Sequence, residues 1–112
     1  MKTTSRTVEG IEILSLQGKI TIGSGDVQLR DLIAQCLNDG KNNILLDMSG
    51  VSTIDSSGIG ELVGSFTTVT NRGGRLKLLH LPGKVTDLLQ VTQLITVFEV
   101  HDDEAKAVAS FK

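Results

Sequence analysis

Asp55, Ser56, Ser57 and Gly58 stand in a row between an apolar stretch, residues 51–54, and a helix-like stretch that reaches about Arg72. Two hydroxyls therefore fall at a helix N-terminus. Backbone N–H groups without intrahelical partners and the positive end of the helix dipole lie there. A hydroxyl so placed can cap the helix, attack a substrate, or accept a phosphate. Capping is worth about 1 kcal/mol. A phosphate brings about −1.5 to −2 charges, and the dipole favours an anion at that end. An interface centred on the turn responds differently. An unpaired charge buried in an interface costs about 2–5 kcal/mol, which is tens- to thousands-fold in affinity at ~1.4 kcal/mol per decade. Position alone favours capping; the Ser-Ser pair after Asp raises the switch without deciding for it.

Substrate attack has little support. A hydrolase elbow requires Gly-x-Ser-x-Gly, whereas Ser56 follows Ile54 and Asp55. The available bases are His80 and His101, and nothing in the sequence fixes His80, at a strand end near Pro82, against Ser56. Gly58, Gly60 and Gly64 approximate a dinucleotide fingerprint, but that motif should follow a strand directly. Here residues 49–57 intervene. The acidic ribose ligand, due about 20 residues on, is replaced by Lys77, Leu78 and Leu79. The glycines instead suit close helix packing and a tight turn into the helix. Two separated histidines and one cysteine give no ligand pair at metal spacing. Asp47 and Asp55 could approach each other as a Mg²⁺ site or an acid pair. The simpler expectation is that one caps a turn and the other caps the helix.

The elements that must position this turn are legible in the periodicity. Thr7 and Val8 end a strand, Glu9 and Gly10 form a turn, and residues 11–17 continue as a second strand whose alternation slips at Ile13 and Leu14. Residues 18–25 form a glycine-rich loop. Residues 26–38 form a helix with Leu29, Leu32, Ile33, Cys36 and Leu37 inward. Residues 43–48 suit a central strand buried on both faces. The second helix turns Ile59, Leu62, Val63, Phe66, Val69 and Thr70 inward, and Gly73-Gly74 stops it. Residues 76–80 are a strand, Pro82-Gly83 a turn, and Val85, Leu88 and Leu89 mark a short helix. Residues 96–100 form the last strand. A terminal helix starts at Asp102-Asp103 and carries Ala105, Val108 and Ala109 inward. The order β-β-α-β-α-β-α-β-α predicts an α/β fold, a mixed central sheet with helices packed on it.

Composition bounds the function. The 112 residues suit one domain with one core. With 11 Lys and Arg against 13 Asp and Glu, the net charge of −2 argues against a nucleic-acid partner. There is no Trp or Tyr, so the core is aliphatic. Cys36 stands alone, which excludes an intramolecular disulfide, and it reads as a packed core thiol. Residues 1–10 lack the apolar segment of a signal peptide. No apolar run approaches the ~20 residues of a membrane span, so a soluble cytoplasmic protein without a membrane partner is expected.

The chain resembles the STAS domain of bacterial anti-sigma factor antagonists. The resemblance rests on Leu45-Leu46-Asp47-Met48 and on Val51-Ser52-Thr53-Ile54-Asp55-Ser56-Ser57-Gly58-Ile59-Gly60. Gly73-Gly74, residues 76–79 and Asp102-Asp103-Glu104-Ala105 support it, and it covers nearly all of residues 1–112 as a single domain. It implies the STAS (SpoIIAA-like) fold and a non-enzymatic role in transcription regulation and signal transduction. The unphosphorylated form would bind an anti-sigma factor that is also a serine kinase, releasing a sigma factor. Phosphorylation at the kinase's expense of ATP would end binding, and a PP2C-type phosphatase would restore it. Matched by position, the phosphoacceptor is Ser56 rather than Ser57, with Asp55 supporting it and Ser57 capping the helix. The chain itself would need no cofactor, and it would be a monomer or weak dimer. The implied contact surface is Lys19, Thr21, Gly23 and Ser24 of the loop, Asp55, Ser57 and Gly58 of the turn, and helix positions Glu61 and Ser65, which face away from Leu62 and Phe66. Thr21 departs from the family, where an acidic residue is usual, and Thr92-Gln93-Leu94 replaces a usual Ser-Gly-Leu. The alternative within the family is a scaffold that is never phosphorylated, in a signalling or lipid-transport assembly.

Overall fold

The computed structural model describes residues 1–112. Five strands form one sheet in the order β1-β2-β3-β4-β5: β1 (Lys2–Val8), β2 (Ile11–Ile20), β3 (Asn43–Ile54), β4 (Arg75–Leu79) and β5 (Val100–His101). β1 and β2 are antiparallel, and every other pairing is parallel. Helices α1 (Gly25–Asn38), α2 (Ser56–Asn71), α3 (Gly83–Val91) and α4 (Glu104–Ala109) follow β2, β3, β4 and β5. The expected mixed α/β order therefore holds. No helix is long and apolar enough to cross a membrane.

Burial on two faces explains the central sequence pattern. Ile44, Leu46 and Met48 join α1, α2 and α3 in the larger core cluster, while Leu45 joins α4 on the opposite face. The continuous apolar run of β3 follows from that. The slip at Ile13 and Leu14 has the same cause, because Leu14 faces the larger cluster and Ile13 the smaller. Glu12 is buried beside them and pairs with Lys41 at 2.6 Å. The inward stripe of α1 is as expected, with Leu29, Ile33, Cys36 and Leu37 buried and Leu32 packed against them. Burial raises the Cys36 thiol pKa, as befits a core residue. Gly73, at φ 80°, closes the second helix as expected.

Several boundaries move. β1 extends back to Lys2, although Lys2 to Thr7 are all exposed, because an edge strand needs only its pairing to β2 and no apolar alternation. β2 continues to Ile20, with register shifts between Ser15 and Gln17 and between Gly18 and Lys19, so its last turnings look like loop in the sequence. β3 runs on through Gly50 to Ile54. The last strand shrinks to Val100–His101, because Gln93 adopts φ 62° and starts a 3-10 turn at Leu94–Thr96. Phe98 then turns inward and meets the Phe66 ring edge-on at 5.5 Å. In α4 the buried residues are Ala107 and Val108, with Phe111 beyond the helix; Ala105 and Ala109 are exposed. Thr70 in α2 is likewise exposed.

α4 is short, and polar contacts strap it to the sheet. Arg6 pairs with Glu104 and Lys112 with Glu9. Lys77 is buried, and its ammonium donates to the Ser110 carbonyl at 2.9 Å and the Ser110 hydroxyl at 2.8 Å. It also pairs with Glu99 at 2.8 Å and lies 4.6 Å from the centre of the Phe111 ring. The Lys77 ammonium first, and His101 second, hold the Glu99 carboxyl down from 4.5 to about 2. Its stabilising contribution is complete above about pH 4.5 and is lost as pH falls toward about 2. Half of the Glu99 side chain is exposed, which keeps the effect small. Glu99→Gln should flatten this acid limb in urea unfolding measured from pH 5 down to about 2.

Candidate functional site

β2 and β3 outrun β4. Asp47 of β3 is level with Leu79, the last residue of β4, yet β3 continues beside β2 until Ile20 meets Ile54. Both chains then leave the sheet together. β2 passes through residues 21–24 into α1, and β3 turns at Asp55 directly into α2. The serine turn is therefore a projecting corner formed by two strand ends and two helix starts.

One carboxylate organises that corner. Asp55 is extended, at φ −107° and ψ −174°, and is the N-cap of α2. Its Oδ1 accepts the Gly58 N–H at 2.9 Å, and its Oδ2 accepts the Ile22 N–H at 3.0 Å. Its own N–H reaches the Ile20 carbonyl at 3.4 Å. The Gly58 bond and then the Ile22 bond hold the Asp55 carboxyl below the usual carboxylate range, so it is ionised at neutral pH. The cap thus falls to Asp55 and not to Ser57 or Ser56. That corrects the expected capping role of Ser57. Ser56, at the first helical position, is exposed, and its hydroxyl is left out of the cap.

Close backbone approach fixes the two helix starts. A Cβ on Gly58 would lie 2.1 Å from the Ile20 carbonyl oxygen, and one on Gly25 would lie 2.0 Å from that of Lys19. Side by side, α1 and α2 are bridged by Arg30 and Glu61 at 3.3 Å. Gly58 bears out the expectation of close packing, whereas Gly60 and Gly64 do not. Nothing lies within 4 Å of a Cβ at either position, and both are exposed. At spacings of four they share one helix face with Ser56.

The expected contact residues gather at this corner with exceptions. Lys19, Gly23 and Ser24 are exposed, and Thr21, Asp55, Ser57 and Glu61 are partly so. Gly58 is buried, so it shapes the turn from within and offers no contact surface. Ser65 is a correction: it is 3% exposed and lies inward with Leu62 and Val69. Its hydroxyl has no hydrogen-bond partner. Ile22, within the expected contact loop but not among its named residues, is 73% exposed. The available signal was an apolar side chain set between Thr21 and Gly23 in a polar loop.

The rival chemistries find no shared geometry. His80, at φ 56°, donates its backbone N–H to the His101 carbonyl at 2.9 Å, level with the middle of β3. Ser56 lies roughly 20 Å of strand further on. His101 Nε2 is engaged with Glu99 at 2.6 Å. Asp47 Oδ1 accepts the Ser49 N–H at 3.0 Å, a local contact where the β2–β3 register shifts within β3, while Asp55 caps the helix. Asp55 therefore caps the helix as expected, whereas Asp47 lies within β3 and caps no turn.

Comparison with known proteins agrees with this geometry. Residues 2–107 match the family model described as the STAS domain. The anti-sigma-B factor antagonist of Bacillus subtilis is 30% identical over 78% of each chain. The crystal structure of a proposed anti-sigma factor antagonist from Thermotoga maritima aligns with TM-score 0.88 at 25% identity, over 97% of this chain and 93% of that one. The Bacillus cell fate determinant SpoIIAA in its phosphorylated form shares the fold, with TM-score 0.75 at 19% identity over 99% of this chain and 100% of that one.

Two mutational outcomes follow. Asp55→Ala should lower stability by about 1–2 kcal/mol through the lost cap, and amide exchange should quicken at both Gly58 and Ile22. Gly58→Ala should cost about 2–3 kcal/mol, because a backbone carbonyl blocks the added methyl. Gly60→Ala, in open space, should instead stabilise by about 0.5–1 kcal/mol. Urea titrations of the two glycine variants check the contrast.

Proposed function

The chain belongs to the STAS domain family, and from that premise we propose that it is an anti-sigma factor antagonist whose docking is switched by phosphorylation of Ser56. Unphosphorylated, it binds an anti-sigma factor that is also a serine kinase, and a sigma factor is released. Transfer of the ATP γ-phosphate to the Ser56 hydroxyl ends that binding. A PP2C-type phosphatase removes the phosphate and restores it. The chain contributes a surface and an acceptor hydroxyl, and the kinase contributes the catalysis.

The observation that carries this reading is the division of labour at the corner. Asp55 takes the cap, which leaves the neighbouring Ser56 hydroxyl exposed on a rigid helix start. A kinase needs a hydroxyl that protrudes and is not required for folding. The N-terminal end of α2 accommodates the added anion. Relatives of this chain are named for antagonism of anti-sigma factors, the B. subtilis protein among them. SpoIIAA, of the same fold, exists in a phosphorylated form. The docking surface is the loop Lys19, Thr21, Gly23 and Ser24, the turn at Asp55, Ser56 and Ser57, and Glu61 on α2. Outward-facing Gly60 and Gly64 extend it in place of Ser65.

Incubation with the cognate kinase and ATP should add one phosphate, about 80 Da, mapping to Ser56 and absent in Ser56→Ala. Ser56→Asp should weaken kinase binding by tens-fold or more, in line with a charge cost of about 2–5 kcal/mol. Calorimetry on wild type, Ser56→Ala and Ser56→Asp measures this. Equal affinity for Ser56→Asp and wild type would falsify the switch.

A further inference from the structure

Beside the serine corner, on the side of β1, lies an open cleft of about 470 Å³. Its lining includes Lys2, Gln17, Lys19, Thr21 and Ser24. Lys2 and Lys19 are both exposed, and neither is paired with a carboxylate, unlike Lys41, Lys77 and Lys112. Three acids of the corner and its two helices make other contacts. Asp55 is spent on two backbone N–H groups, and Glu61 is paired with Arg30. Asp26 is buried and accepts the Val27 N–H. In a chain of net charge −2, the cleft thus presents two lysine ammoniums that no carboxylate meets in an ion pair. Gln17, Thr21 and Ser24 add neutral groups that can donate hydrogen bonds.

The cleft is continuous with the turn. Thr21 and Ser24 flank Ile22 and Gly23, and the Ile22 N–H is tied to Asp55 one residue before Ser56. Ile22, 73% exposed, thus follows a residue that lines the cleft and bonds the residue that precedes Ser56. Its backbone is held by the same carboxylate that caps α2.

We propose that this cleft receives an acidic segment of the kinase partner, with Ile22 as the apolar anchor beside it. Complementary charge selects the occupant: carboxylates of the partner face Lys2 and Lys19, while an apolar socket covers Ile22. The inference rests on the reading that the Ser56 turn is a docking surface, and it names the chemistry of the partner at that surface. It also gives the phosphate a second means of action. A dianion on Ser56 repels the incoming carboxylates and competes with them for nearby positive charge.

The probe is the purified kinase that phosphorylates Ser56, titrated calorimetrically at about 50 and 300 mM salt. Lys19→Glu and Lys2→Glu should each weaken binding by at least tenfold at low salt and reduce the salt dependence, while Lys19→Arg retains affinity. Ile22→Ala should weaken binding by tenfold or more at both salt concentrations. Lys84→Glu and Val91→Ala, on exposed positions of α3, are the controls and should bind as wild type. Thermal melting of each variant shows that it is folded, and Lys19→Arg covers the case of a misfolded Lys19→Glu. Lys19→Glu and Ile22→Ala binding like the α3 controls, with Ser56→Asp still defective, overturns this inference and leaves the phosphoswitch standing. Ser56→Asp binding like wild type, or no kinase acting on Ser56, overturns both.

Discussion

The serine corner depends on one carboxylate with two separate obligations. Asp55 Oδ1 closes the first turn of α2, and Oδ2 holds the backbone of the preceding β–α loop. Neither bond alone would make a surface. The cap gives α2 a defined start, and the loop bond sets Ile22 and its neighbours against that start. Because both acceptors sit on one short side chain, the loop and the helix cannot move independently without breaking a charge-assisted hydrogen bond. The proposed docking surface, assembled from two segments far apart in sequence, would thereby be ordered before a partner arrives, which lowers the ordering cost of binding.

The glycines divide along the same line. Gly25 and Gly58 are internal requirements, since each faces a carbonyl oxygen of β2 that excludes a side chain. Gly50 plays a similar part within β3, where a Cβ would lie 2.8 Å from the Leu16 carbonyl oxygen. Gly60 and Gly64 have no such internal reason. A helix interior glycine costs about 0.5–1 kcal/mol relative to alanine. Two of them on the face that also bears Ser56 leave the fold slightly weaker and the surface flatter. This is the direction expected where the helix must admit another backbone closely.

Legibility in the sequence tracks burial. The α1 stripe and the run at Ile44, Leu45 and Leu46 were plain because both are set by apolar contact with a core. β1 was mostly hidden, since Lys2 to Thr7 are all exposed and only strand pairing defines them. β5 was misplaced because a left-handed Gln93 redirects the chain, and no pattern of apolar residues records that. Ser65 was misassigned although its spacing from Leu62 and Val69 matches the buried stripe; its polarity outweighed its position. A helix cap from Asp47 or Asp55 was legible, since Asp is a good N-cap. The second Asp55 bond, to Ile22 across 33 residues of sequence, was not, because no local rule encodes it.

The same carboxylate bears on how a phosphate could be borne one residue away. Two anions side by side ordinarily repel, and Asp55 would seem to oppose modification of Ser56. Its charge, however, is already met by two N–H dipoles, as the lowered carboxyl pKa reflects. What remains at the end of α2 is the field of the helix and the N–H groups of its first turn not taken by the cap. A phosphate on Ser56 would face that positive end while pointing into solvent, because the serine is exposed and is not itself the cap. The fold then has little reason to respond. A partner's surface pressed against the same corner has no equivalent compensation, since its approach would strip water from the phosphate without supplying a cation. Under the proposed switch, separating the capping residue Asp55 from Ser56 is what would let the charge act on docking and leave the fold intact.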